Sequence, residues 1–129
     1  MGQLSWNRRE LVESPELGDV SLARPKGVLT GCLQVPRDLP VFDGHFPAIA
    51  IVPGVVQLGW VIGLTYRYGL ASGPFLGVVF AKFRRILTPA SEVRVRIGSG
   101  RVIGEIDFEF TSTNAVVSCG RLLFLVGCR

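Results

Sequence analysis

The chain has 129 residues, a net charge of +4, 48% apolar residues and 19% charged ones. That length is one domain's worth, and so apolar a small chain is expected to bury surface between subunits as well as within one. The modest positive charge favours an acidic partner; with no aromatic-interleaved basic stripe and no zinc spacing, nucleic acid and a metal centre are excluded as partners.

Residues 1–23 mix charges (Arg8, Arg9, Glu10, Glu13, Glu16) with turn formers (Ser14-Pro15, Gly18-Asp19). They read as a loosely ordered arm with at most one short strand or helical turn, on a single domain spanning 1–129. No apolar segment resembling a secretory signal opens the chain. Cys32, Cys119 and Cys128 are odd in number and form no CxxC, which suits free thiols in a reducing cytoplasm.

From Val28 to Val35 the residues alternate as in a strand, and Pro36 ends it. The stretch Phe42 to Trp60 then holds the chain's one histidine, His45, and leads into its most apolar segment. Pro47 and Pro53 bracket a loop, because a residue before proline is pushed to extended geometry. A helix is expected from about Gly54 to Tyr68, with Gly69 as its C-terminal cap. Apart from Gln57 and Thr65 this helix is apolar until Arg67, so it belongs inside a core. Its uninterrupted part to Leu64, about 16 Å, is too short to span a membrane.

Ala71-Ser72-Gly73-Pro74 reads as a loop, and Phe75 to Ile86 as a long strand with Lys82, Arg84 and Arg85 in its basic half. If alternation holds, Lys82 and Arg84 share a face and Arg85 opposes them. Val93, Val95 and Ile97 alternate with Arg94 and Arg96; Ile106, Phe108 and Phe110 alternate with Glu105, Asp107 and Glu109. This is a hairpin with basic residues facing acidic ones across strands. Thr113-Asn114 turns into a last strand, Ala115 to Val126, whose weaker alternation places it inside the sheet. The sum is α+β: one long buried helix wrapped by a mostly antiparallel sheet of about five to six strands.

Gly44-His45-Phe46-Pro47 followed by Pro53-Gly54-Val55 resembles the signature of the hot-dog fold β-hydroxyacyl-ACP dehydratases. Pro53-Gly54-Val55-Val56-Gln57-Leu58-Gly59-Trp60 is most similar to the branch associated with aryl polyene clusters, and Phe80 to Ile86 resembles the strand after the helix. The resemblance covers roughly residues 28–126. It implies a hot-dog domain that joins a second subunit edge to edge, with active sites between the two, acting without a cofactor on acyl groups carried by acyl carrier protein through a phosphopantetheine thioester. His45 would be the base and the Gly54 backbone N–H the donor to the thioester oxygen. Phe46, Pro53, Val55, Gly59 and Trp60 would line the acyl site.

One element of that family's site is absent. The acid expected fourteen positions after His45 falls on Gly59, which has no side chain. Gln57 lies about 200° round the helix from Gly59 and is no acid. The partner would be a second copy or a related hot-dog subunit, and a different partner chain across the interface is the expected alternative source of the proton donor. The competing readings are a non-catalytic acyl-ACP-binding subunit and, ranked lowest, an acyl thioesterase. Lys82, Arg84 and Arg85 form a candidate landing site for an acidic carrier or its phosphate; the alternative is an ordinary solvated edge.

Overall fold

The computed structural model describes residues 14–23, 27–37 and 51–126. His45 and Phe46 lie outside the described residues, as does Cys128. Six strands and one helix follow in order: β1 (Leu17–Ala23), β2 (Val28–Gln34), α1 (Gly54–Arg67), β3 (Phe75–Phe83), β4 (Glu92–Ser99), β5 (Glu105–Ser112) and β6 (Ala115–Phe124). The strands form one sheet in the order β1-β2-β4-β5-β6-β3, and every neighbouring pair is antiparallel.

Period-two patterning decides which side of the sheet each residue takes. On β4, Val93, Val95 and Ile97 are buried while Arg94 and Arg96 are exposed. On β5, Ile106, Phe108 and Phe110 are buried, and the last two rings pack edge to face. These side chains, with Leu29, Leu33, Leu122 and Phe124, form a core with Trp60, Val61 and Leu64 of α1. Thr113 and Asn114 both take positive φ, which lets a two-residue hairpin turn join β5 to β6. As expected from its weak alternation, β6 is interior, between β5 and β3.

Charge pairing differs in part from the expectation. Arg96 does stand opposite Glu109, but Arg94 stands opposite Thr111. The ion pairs among the described residues instead run to Arg121 on β6: 2.7 Å from Nε to Asp107 and 3.6 Å to Glu105. Strand β1 is the short strand within the arm. Its register shifts between Gly18 and Ser21, and Asp19 takes positive φ, so the alternation that would have marked it in the sequence is interrupted.

The basic end of β3 is shorter than its composition suggests. The strand stops at Phe83, and the backbone N–H groups of Arg84 and Arg85 both donate to the Val117 carbonyl, at 2.8 and 3.2 Å. Two residues there oppose one, as in a bulge. Strand alternation therefore does not carry past Phe83, and the pairing of Lys82 with Arg84 on one face does not follow from it.

Candidate active site

α1 begins where the sequence predicts. Pro53 is extended (φ −61°, ψ 153°) and precedes the first helical residue, Gly54. Among the described residues no side chain caps this end, and its first turn holds no acidic residue. The first N–H groups of a helix have no internal acceptor and carry the positive end of its dipole. Among the described residues the first bonds made are those of Val56 and Gln57 to the Pro53 carbonyl, at 3.0 and 3.2 Å. The amides of Gly54 and Val55 point out of the helix with no described acceptor. The other end is closed by glycine at positive φ: Gly69 and Leu70 donate back to Tyr66 and Thr65.

The uncapped end is held in place by a chain of contacts. Val52 N–H donates to the Leu87 carbonyl at 2.8 Å. Gln57, only 2% exposed, donates from Nε2 to the Val52 carbonyl at 3.2 Å, and its Oε1 accepts from Ser118 Oγ at 2.8 Å. Helix start, preceding loop and β6 are thereby tied together. The sequence marked Gln57 only as a polar exception facing away from Gly59. Its partner, Ser118, is 61 residues distant, so nothing local announces it.

Gly54 has a second reason to be glycine. A Cβ there would lie 2.8 Å from both Cε2 and Cζ of Phe83. The ring at the end of β3 is packed against the helix start.

The remaining candidates separate into two groups. Trp60 is fully buried in the core, and its indole N–H has no hydrogen-bond partner among the described residues. Val55, by contrast, is 57% exposed, and Gly59 is half-buried. At 100° per residue Gly59 falls near Val55 and Tyr66, on the side of α1 away from its sheet-packed residues. Pro53 is half-buried at the N-cap. Lys82, Arg84 and Arg85 are all exposed. Lys82 Nζ stands 5.8 Å from the centroid of the Phe80 ring, which Arg121 also flanks at 5.5 Å. Hydrogen bonding to Asp107, reinforced by its charge, raises the Arg121 pKa further above its ordinary value.

A cavity of about 370 Å³ among the described residues is elsewhere. It lies beyond the C-terminal end of α1, between Leu70–Gly73 and the β4–β5 loop, and does not include Gly54 or Gly59. No cluster of potential metal ligands occurs among the described residues, and no helix there is long and apolar enough to cross a membrane.

This architecture is the hot-dog fold. The dehydratase heterocomplex ApeI:P from Xenorhabdus doucetiae contains a chain that superposes with a TM-score of 0.75 at 22% identity, over 89% of this chain and 98% of that one. A structure from Erwinia carotovora subsp. atroseptica, described as an uncharacterized protein, superposes with a TM-score of 0.72 at 23% identity, over 88% and 94%. Residues 23–121 match the ApeI-like family, described as ApeI dehydratase, and the chain belongs to that family. The 3-hydroxyacyl-[acyl-carrier-protein] dehydratase FabZ of Latilactobacillus sakei is 34% identical over 118 residues, 79% of each chain. FabZ of Clostridium acetobutylicum is 35% identical over 81 residues, 57% of each.

Proposed function

We propose that the protein dehydrates 3-hydroxyacyl groups carried as thioesters on acyl carrier protein, giving the 2-enoyl thioester and water. The observation that carries this reading is the uncapped helix start at Gly54, in a member of a dehydratase family, directly after the Gly44-His45-Phe46-Pro47 motif. His45 removes the α-proton, since imidazole titrates near neutrality. The thioester oxygen gains negative charge as that proton leaves, and the Gly54 N–H donates to it. Donors fixed before the reaction cost no reorganisation when the charge appears. The Ser118–Gln57–Val52 chain of bonds supplies that fixity.

The C3 hydroxyl then departs and needs a proton. Gly59 cannot give one. Its position on the outward side of α1 supports completion of the site by a second hot-dog subunit that carries the acid. The family's structural neighbour is itself part of a heterocomplex, and among the described residues strand β3 has β6 as its one neighbour in the sheet while exposing Leu76, Val79 and Phe80. That open apolar edge suits addition of a partner's strand. Pro53, Val55 and Phe46 border the acyl group in this reading, with Trp60 behind them in the core, while Lys82, Arg84 and Arg85 receive the acidic carrier.

The test is conversion of a 3-hydroxyacyl-ACP to the 2-enoyl product by the assembled protein, followed through the absorbance of the conjugated thioester. His45→Ala should lower turnover by about 10²–10⁴-fold. Unchanged turnover in that variant, or none in the wild type with any related subunit, refutes the proposal. Acyl-ACP binding without turnover would instead identify a non-catalytic subunit.

A further inference from the structure

Phe83 closes β3, the strand with the open edge. It pairs with Ser118, whose side chain reaches Gln57 of α1, so the two residues share the side of the sheet that faces the helix. The ring does not behave as a core residue, being 44% exposed. Yet it is pressed on the helix start so closely that a Cβ at residue 54 would meet three of its carbons at 2.8 to 3.0 Å. An aromatic ring that stays in solvent contact while occupying the space beside an open helix amide is placed as a wall.

What that wall faces follows from bond lengths. An acyl oxygen accepting from the Gly54 N–H sits about 2.9 Å from the nitrogen. Its carbonyl carbon is about 1.23 Å further on, and the α-carbon one more bond away. The α-carbon then lies within about 5.6 Å of the Gly54 nitrogen, and the Phe83 ring occupies the space at the Cβ position of the same residue.

We infer that Phe83 is a specificity-determining residue of the acyl site, admitting thioesters with an unbranched α-carbon and excluding those that carry a methyl group there. The inference rests on the dehydratase reading and names which substrates that site takes. Glycine at residue 54 serves both partners: it leaves the amide open to the acyl oxygen and leaves room for the ring. One methyl group in a shaped apolar site discriminates by about 10–200-fold, so the effect is measurable.

The test compares binding of 3-hydroxybutyryl-pantetheine and 2-methyl-3-hydroxybutyryl-pantetheine, both as non-hydrolysable amide analogues, to the assembled protein. Wild type should prefer the unbranched analogue by at least about tenfold. Phe83→Ala should reduce that preference by about the same factor, and Phe83→Leu by less. Leu keeps an apolar side chain at the strand end, so it carries the test if the Ala variant does not fold. A preference that is unchanged in the variants, or an equal weakening of both analogues, overturns the inference and leaves the dehydratase reading standing. Wild-type protein that binds neither analogue overturns both. The contact itself is read independently from melting temperatures. Gly54→Ala should lower Tm, and adding Phe83→Ala should restore part of the loss; strictly additive losses would show that the ring does not press on residue 54.

Discussion

Two sides of one helix contrast most sharply in this molecule. Toward the sheet, α1 presents Gln57, Trp60, Val61, Leu64 and Thr65, none more than 2% exposed. Away from it, Val55 and Tyr66 are 57% and 40% exposed, and Gly59 lies near them. The sheet-facing side is completed inside the protomer: Thr65 Oγ1 donates to the Val61 carbonyl at 2.7 Å and both ends of the Gln57 amide are bonded. The outward side is apolar without a described cover. It is also the side that carries Gly59, the position where the resemblance in sequence leads one to expect an acid. A helix apolar all round is thus used for folding on one side, and its other side is the one to which the proposed function assigns assembly and chemistry.

Substitutions should separate the sides in order of effect. Trp60→Ala should cost about 3–5 kcal/mol in urea unfolding, as large core truncations do. Val55→Ala should stay within about 0.5 kcal/mol; comparable losses at the two positions would mean that the sides are not distinct. Gln57→Ala leaves Ser118 Oγ and the Val52 carbonyl without their partner and should cost about 1–3 kcal/mol. It should also slow turnover, because the helix start loses its tether. A variant with reduced stability but unchanged turnover would deny Gln57 any positioning role.

At the open edge of β3 and on the outward side of α1 the readout changes from stability to assembly and rate. Val79→Lys places a charge on the open edge of β3, where Val79 is 51% exposed. It should leave folding within about 0.5 kcal/mol of wild type while light scattering shows loss of the oligomer. Gly59→Asp should raise the turnover of the chain without its partner, since it restores an acid on the helix. An unaltered rate would show that more than the acid is missing.

The smallest effect concerns Tyr66, whose Oη–H donates to the Gly73 carbonyl at 2.9 Å. Burial raises its pKa above the usual value for tyrosine, so the neutral form is favoured in the fold. Its contribution is fully present below the unfolded pKa of about 10 and is lost as pH rises through the folded value. Tyr66→Phe should therefore show a slightly flatter decline in stability at strongly alkaline pH. Identical alkaline limbs would contradict this.

How far the sequence speaks depends on the range of the interaction. The alternation in β4 and β5, the Pro53–Gly54 helix start and the Gly69 cap are local, and all were legible. The contacts that shape the helix start were not. Gln57 meets Ser118, and Gly54 meets Phe83, only once α1 lies on the sheet. The bulge at Arg84 and Arg85 depends on one carbonyl of β6 and leaves no mark on the composition of its own segment. Strand β1 was blurred for a related reason, since its register shift interrupts the pattern that would have revealed it. Gly59 is the instructive case: the sequence marks a position without a side chain, and the helix geometry puts it near the exposed Val55 and Tyr66.

The direct measurement is the rate of 2-enoyl-ACP formation from 3-hydroxyacyl-ACP by this chain alone and mixed with a related hot-dog subunit that carries the acid. A site finished from outside predicts turnover higher by about 10²–10⁴-fold in the mixture, abolished when His45 is replaced in this chain. Equal rates with and without the second subunit, or a mixture indifferent to His45, would contradict it.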